Sequence, residues 1–138
     1  MRVVVFALLM LVSSSGWCAD DCFNALEHDA ELSSIKDKVS LVYSDSQTFS
    51  LLASEAIPTL DETQVIYIWA TKREQCFKSD PRPSPITQTF NAVQSLILDL
   101  YKGGITYGQF AKQRQEVMRQ YRQQTLQLLQ QMQQQQSQ

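Results

Sequence analysis

Residues 84–136 contain two helical patterns that are joined at a pair of glycines, Gly103 and Gly104. In the first pattern, apolar residues recur at alternating steps of four and three, which keeps them along one narrow seam of a helix. Ser84 and Pro85 fit the start of that helix, and a glycine after its last turn ends it in the left-handed conformation. The stretch therefore predicts an antiparallel helical hairpin, with a seam formed by Ile86, Phe90, Val93, Ile97 and Leu100.

Two signals mark the start of the second helix of this hairpin. Thr106 and Gln109 match a capping box, in which each side chain bonds the backbone N–H of the other residue. Ile105 and Phe110 match a hydrophobic staple, a contact that fixes how the chain enters the helix.

The same helix is predicted to continue into a glutamine-rich tail. Eleven of the residues from 120 to 138 are glutamine, and leucine and methionine recur among them. Because these residues are good helix formers, we expect helix to about Gln131 and a frayed tail over residues 132–138. The apolar stripe of this helix consists of Phe110, Val117, Tyr121, Leu128 and Met132. Arg114 and Gln124 interrupt this stripe.

A third strong pattern lies upstream of the hairpin. Thr59 and Glu62 match a second capping box and predict a central helix from residue 60 to about residue 78. Steps of three and four residues place one set of side chains on its core face, and Tyr67 and Ile68 are expected to widen that face. The core-face set is Val65, Ile66, Trp69, Arg73 and Cys76.

The other segments are shorter. We expect a helix over residues 22–27, a turn capped by Asp29, and a buried helix within residues 48–56. Residues 38–43 alternate like an extended segment, and the proline-rich residues 79–85 form a stiff connector. The sequence thus predicts an all-α fold, a small helical bundle with a C-terminal antiparallel helical hairpin, a long terminal helix and one disulfide.

The first nineteen residues predict a secretory signal peptide of the Gram-negative type. Arg2 is followed by an apolar run over residues 3–12, which is too short to span a bilayer, and then by small polar residues. Cleavage is possible after Gly16, Cys18 or Ala19. The expected organisation is a cleaved signal over residues 1–19, a helical domain over residues 20–131 and a tail. We therefore expect a periplasmic or secreted protein without stable membrane insertion after signal removal.

Cysteine parity favours the later cleavage sites. Cleavage after Cys18 or Ala19 leaves Cys22 and Cys76, whereas cleavage after Gly16 leaves an odd thiol. Paired thiols persist in the oxidising compartments outside the cytoplasm. We therefore predict a Cys22–Cys76 disulfide, whose loop of about 55 residues corresponds to roughly 4 kcal/mol of stabilisation in the chain-entropy model.

No pattern in the chain predicts an active site. His28 is the single histidine and sits among acidic residues without the spacing of a zinc or calcium site. No nucleophile elbow, serine–lysine motif or C-x-x-C pair occurs in the sequence. We therefore expect a non-enzymatic protein with no catalytic residues, no metal and no cofactor.

Charge is distributed unevenly along the chain. Residues 20–62 hold ten acidic residues and two lysines, whereas residues 104–138 hold four basic residues and one acidic residue. The basic residues are few and are diluted by glutamine, which argues against a nucleic-acid partner. The asymmetry indicates either intramolecular complementarity or head-to-tail association.

The end of the last helix is the predicted contact surface. The first helix of the hairpin, residues 85–102, is about 27 Å long and can cover its partner only to about Gln124. Apolar residues beyond that point would be exposed, which soluble monomers usually avoid outside contact sites. We therefore predict an adaptor or assembly factor that binds another protein or a second copy of itself through Leu126, Leu128, Leu129 and Met132.

A short resemblance provides the alternative function. The string I-T-Y-G-Q at residues 105–109 resembles the L-T-x-x-Q box of the Spy and CpxP periplasmic helical proteins. This resemblance implies a periplasmic holdase-like chaperone. Those proteins are basic and rich in methionine on a concave face, whereas this chain has a formal net charge of −2 and four methionines.

Overall fold

The computed structural model of the protein describes residues 19–42, 47–80 and 82–138. These residues form α1 (Ala19–Ala25), α2 (Phe49–Leu52), α3 (Leu60–Ser79), α4 (Ile86–Tyr101) and α5 (Tyr107–Gln136), with 3₁₀ turns at Leu26–His28 and Ala30–Leu32. The described ranges contain no strand, so the predicted all-α fold is confirmed. Within the same ranges no helix has the length and apolar character needed to cross a membrane. The predicted signal peptide lies outside the described residues apart from Ala19.

The core is built around α3. Ile66 and Trp69 on this helix are fully buried, and the Trp69 ring meets the Phe110 ring of α5 edge to face at 6.1 Å. Leu32 and Ile35 of the N-terminal turns are buried in the same core. The remaining buried members come mainly from the turn region and the hairpin: Leu26, Val39, Leu41, Val93, Leu96, Ile97, Leu100 and Tyr107.

The core face of α3 is narrower than predicted. Ile66, Trp69, Arg73 and Cys76 are buried, and Val65 and Ile68 are partly buried against the core. Tyr67, however, is 63% exposed, so the expectation that it widens the core face is wrong. At about 100° per residue, Tyr67 points roughly 160° away from Trp69 around the helix, because the two are separated by two residues.

The predicted disulfide is confirmed and links α1 to α3. Cys22 is bonded to Cys76, and their Cα atoms are 5.6 Å apart. Next to this bond, the Phe23 ring contacts Phe90 of α4, and the guanidinium of Arg73 lies over the Phe23 ring at 5.5 Å. The short N-terminal helix is thereby attached to the far end of the central helix.

The hairpin turn forms as predicted. Gly103 has a φ of +71°, and its N–H bonds the carbonyl of Leu100 at 3.0 Å. The N–H of Gly104 bonds the carbonyl of Asp99 at 2.9 Å, which completes a Schellman motif.

The start of α4 differs from the prediction. The helix begins at Ile86 with Pro85 as its N-cap, and Ser84 provides no side-chain cap. The backbone N–H groups of Ile86 and Thr87 instead bond the carbonyl of Pro83, so a proline turn satisfies the donors that a serine cap would have satisfied.

The capping box predicted at the start of α5 is confirmed. Thr106 and Gln109 form the complete capping box, with hydrogen bonds of 3.0 and 2.9 Å, and Ile105 packs on the core that contains Phe110. The helix continues to Gln136, beyond the expected end near Gln131, in keeping with the helix propensity of glutamine. Fraying of residues 132–138 stays a prediction.

Two shorter segments were predicted incorrectly. The helix expected within residues 48–56 is only α2, and its Phe49 is 85% exposed rather than buried. Beyond its end, the carbonyls of Ser54 and Ala56 accept hydrogen bonds from the N–H groups of Gly108 and Tyr107 on α5.

Residues 38–42 are turn and irregular chain rather than a regular extended segment, although Val39 and Leu41 are buried on the expected face. Tyr43 and Pro81, which belong to the extended segment and the connector in the sequence interpretation, lie outside the described residues.

Candidate protein-interaction surface

The last third of α5 extends beyond its neighbour in the hairpin. α4 has 16 residues and α5 has 30, which correspond to about 24 Å and about 45 Å at 1.5 Å per residue. The two helices pack side by side and share the turn at Gly103. Because they start from the same turn, α5 extends about 20 Å past the first residue of α4. We call residues 124–136 the distal segment.

The apolar side chains of the distal segment are exposed. Leu126, Leu128, Leu129 and Met132 are between 45% and 56% exposed, whereas Met118, further up the same helix, is 2% exposed. The described part of the chain therefore leaves this surface open, in the place that the helix lengths had indicated. That it binds a partner stays a prediction.

The exposed surface continues the buried face of the helix. Residues at alternating steps of three and four form a heptad seam along the whole of α5, namely Ala111, Arg114, Met118, Tyr121, Thr125, Leu128 and Met132. The first three are buried, Tyr121 and Thr125 are half-buried, and Leu128 and Met132 are exposed. The same stripe that packs inside the molecule thus runs on into solvent.

The four predicted contact residues are not equivalent on this surface. At about 100° per residue, Leu128, Leu129 and Met132 fall within an arc of about 100°. Leu126 lies about 120° from Met132 and marks the edge of the surface. The helix therefore brings three of the four residues together, and Leu126 is peripheral.

The distal segment has no charge. No acidic or basic residue occurs from residue 123 to residue 138. Just before it, Arg119 donates two hydrogen bonds to the Glu116 carboxylate at 2.5 and 2.8 Å, and this pairing raises the pKa of Arg119 and lowers that of Glu116. A partner of the distal segment would therefore meet apolar side chains flanked by glutamine amides.

A second opening lies between α3 and α4. This cleft has a volume of about 430 Å³, and the Tyr67 and Tyr101 rings meet at its rim with centroids 6.1 Å apart. Sequence reasoning missed it because Tyr67 was assigned to the core. The cleft is lined by Ile66, Tyr67, Ala70, Gln94, Leu98 and Tyr101, among others.

The buried carboxylate of Glu62 binds other groups of the same chain. The Glu62 carboxylate accepts hydrogen bonds from Lys38 Nζ at 2.5 Å and from the Tyr107 hydroxyl at 2.8 Å. Burial raises the pKa of Glu62, but these hydrogen bonds, the Lys38 charge and a smaller contribution from the Thr59 backbone outweigh it and lower the pKa. Burial and the Glu62 hydrogen bond raise the pKa of Tyr107.

Sequence reasoning missed this cluster because it assigned Glu62 to the capping box with Thr59. The Thr59 hydroxyl does accept the Glu62 N–H at 3.3 Å, but the Glu62 carboxylate bonds mainly to Lys38 and Tyr107. The cluster therefore holds the turn region, α3 and α5 together.

Two buried arginines flank the central tryptophan. The guanidinium carbons of Arg73 and Arg114 each lie 5.7 Å from the Trp69 ring, within cation–π range. Arg114 also donates to the backbone carbonyls of Ser40 and Val42, and Arg73 Nε donates to Gln94 at 2.7 Å. These contacts stabilise the fold and leave no convergent reactive groups.

The remaining candidate groups do not form a site. His28 is exposed, and among the described residues no group of histidine, cysteine, aspartate or glutamate is arranged to hold a metal ion. We compared the chain with protein-family models, curated proteins and solved structures, and none matches it. The distal segment of α5 is thus the surface that offers the clearest basis for a function.

Proposed function

We propose that this is a non-enzymatic exported protein that binds another protein chain through the distal segment of α5, as an adaptor or assembly factor does. The observation that supports the proposal is the apolar seam, which is buried in the first half of α5 and continues, exposed, for about 20 Å past α4. An exposed apolar stripe of this kind marks a contact site more often than a free surface.

The distal segment suits recognition as a preformed helix. Isolated helices of this length are marginal because nucleation is costly, but this one grows from a helix that the core already holds. A partner would therefore not have to order it on binding. Burying the exposed halves of Leu128, Leu129 and Met132 would contribute on the order of 1 kcal/mol for each side chain.

The disulfide is compatible with the proposed location. Structural disulfides persist in the periplasm and outside the cell, and are rare in the cytosol. The Cys22–Cys76 bond therefore supports the exported part of the proposal, and N-terminal sequencing of the protein from a periplasmic extract would test the signal peptide.

The binding proposal is tested by changing the seam without disturbing the core. We expect Leu128→Gln with Met132→Gln to keep the helical content and abolish association with partners from a periplasmic extract. The matched control is Gln127→Ala with Gln130→Ala, two changes on the opposite face of the same segment. Truncation after Gln124 should behave like the seam variant. Association that survives the seam substitutions would contradict the proposal, and so would unfolding of the truncated chain, since the tail would then be core.

A holdase-like chaperone is the second candidate, and the scattered exposed apolar side chains favour it. Besides the distal segment, Phe49, Ile57, Leu60 and Tyr67 are more than half exposed. The Thr106–Gln109 box that carries the resemblance is fully used as the cap of α5. Suppression of the aggregation of an unfolded client by the control variant and by the seam variant alike would favour the chaperone over the adaptor.

A further inference from the structure

We propose that the chain bound by the distal segment is a second copy of this protein, whose own distal segment packs antiparallel against it. This inference rests on the proposed function and names its partner. The result would be a two-fold symmetric dimer in which the same surface of each copy is buried.

The first argument is continuity with the interface inside the molecule. α4 packs against the first half of α5 and, because the two helices are joined by a tight turn, runs antiparallel to it. Burial of the seam decreases towards Thr125, where the side chain is still half-buried. An antiparallel distal segment from a second copy would continue along the same seam in the same direction as α4. The seam would then be covered from Tyr107 to Gln136.

The second argument is register. Consider an antiparallel pair of distal segments centred on Gln130. A residue that precedes Gln130 in one copy then lies at the same height along the axis as the residue that follows Gln130 by the same number of positions in the other copy. Leu128 then faces Met132 of the second copy, and Thr125 faces Gln135, so that seam positions meet seam positions throughout. The two Leu129 side chains lie one residue to either side of the centre, about 3 Å apart along the axis. Leu129, which stands beside the seam, is buried by its own counterpart.

The third argument is charge. Identical surfaces whose charges have one sign repel each other when they meet, but the distal segment has no charged side chain. Helices that select a different chain commonly use charged flanking positions to do so. Here the flanking positions apart from Leu129 are glutamines, whose amides donate to and accept from one another.

A parallel pair is excluded by the body of the molecule. In a parallel arrangement the two seams face each other at every level, and before Thr125 each seam is already buried or half-buried within its own molecule. The helices would have to diverge at that point. The antiparallel arrangement puts the two bodies at opposite ends of the shared segment.

The test uses the chain from Asp20 onward, in which Cys22 and Cys76 are bonded to each other. We expect a dimer in sedimentation equilibrium, and we expect Leu129→Cys to form a disulfide-linked dimer on mild oxidation. Gln130→Cys, on the opposite face, is the matched control and should stay unlinked. A mixture of Leu128→Cys and Met132→Cys chains should give mainly the mixed product. Self-linking of Leu128→Cys without linking of Leu129→Cys would overturn the antiparallel arrangement.

The seam variant separates this inference from the proposed function. Leu128→Gln with Met132→Gln should raise the dimer dissociation constant by about tenfold or more, because both layers around the centre lose apolar contact. If the wild-type chain is monomeric yet captures a different protein that the seam variant does not, the second-copy inference is wrong and the proposed function stands. A monomeric wild-type chain that captures nothing contradicts both.

Discussion

The Glu62 carboxylate links three parts of the chain that are distant in sequence. It lies on α3, accepts from Lys38 in the turn region and from Tyr107 at the start of α5, and is 6% exposed. A buried carboxylate that loses one such partner keeps its desolvation penalty, which is about 1–3 kcal/mol or more. This residue therefore connects the position of the N-terminal turns to the hairpin.

The titration of Glu62 leads to a prediction about acid stability. Its pKa is lower in the folded protein than its ordinary value of 4.5, so its contribution to stability is present above that value and is lost as the pH falls through the folded pKa. We expect Glu62→Gln to be destabilised near neutral pH and to lose less of its free energy of unfolding than the wild type on acidification. Urea denaturation at a series of pH values measures this. The control is Glu55→Gln, at an exposed carboxylate, whose free energy of unfolding should change with pH as that of the wild type does. If the free energy of unfolding of Glu62→Gln also changes with pH in parallel with the wild type, Glu62 does not contribute to acid stability in this way.

Gly108 shows a different constraint on a single residue. A Cβ at this position would lie 2.7 Å from the carbonyl oxygen of Leu52 and closer still to that of Ser54. The close approach lets the Gly108 N–H bond the Ser54 carbonyl at 2.9 Å. The sequence places Gly108 inside the predicted capping box, where its role in packing against α2 is not visible.

At the scale of helices and turns, local signals predicted the long elements well. The caps at Thr59 and Thr106 and the glycine turn at Gly103 are satisfied within a few residues of themselves, so the sequence determines them directly. The prediction was wrong where the chain satisfied its backbone groups in another way. A different local bond, to the Pro83 carbonyl, replaced the expected Ser84 cap, and the carbonyls of Ser54 and Ala56 after α2 bind the start of α5.

The same distinction applies to the candidate surface. The length of a helix follows directly from its number of residues. The sequence was therefore sufficient to show that Leu128 and Met132 lie beyond the reach of α4. The cleft beside Tyr67 and Tyr101 depends on how far apart α3 and α4 pack. No periodic pattern in either helix contains that information, and the cleft was therefore not predicted.

The turn between α4 and α5 permits a test with a matched control. Gly103 has a positive φ, and a Cβ at this position would meet no other atom. Gly103→Ala should therefore destabilise the fold only through the strain of a positive φ at alanine. We expect it to lower the free energy of unfolding by about 1 kcal/mol. Gly104→Ala, whose Cβ would be at ordinary contact distance of 3.4 Å from the Asp99 carbonyl and whose φ is not positive, should change it by less. Chemical denaturation of both variants measures the difference, and equal midpoints would count against the hairpin geometry.

Over the whole molecule, three acidic residues of the N-terminal part form ion pairs with lysines of the turn region and of α3. Lys72 on α3 forms ion pairs with Asp29 and with Glu31, and the hydrogen bond from Lys72 lowers the pKa of Asp29. Lys38 pairs with Glu62 in the same region. On α5, Arg119 pairs with Glu116 of its own helix, and Arg114 donates to backbone carbonyls. All of these bonds are formed within one copy of the chain.

Salt dependence separates the two modes of association. Raising the ionic strength from about 0.1 M to about 1 M shortens the Debye length from about 10 Å to about 3 Å and weakens contacts between exposed charges. Because residues 123–138 are uncharged, association through Leu128, Leu129 and Met132 should keep its dissociation constant within about twofold over this range. Sedimentation equilibrium at several salt concentrations measures this, with the seam variant as the non-associating reference. A dissociation constant that rises steeply with salt would mean that the acidic N-terminal residues of one copy meet the basic residues of α5 in another, and the uncharged seam would then not be the interface.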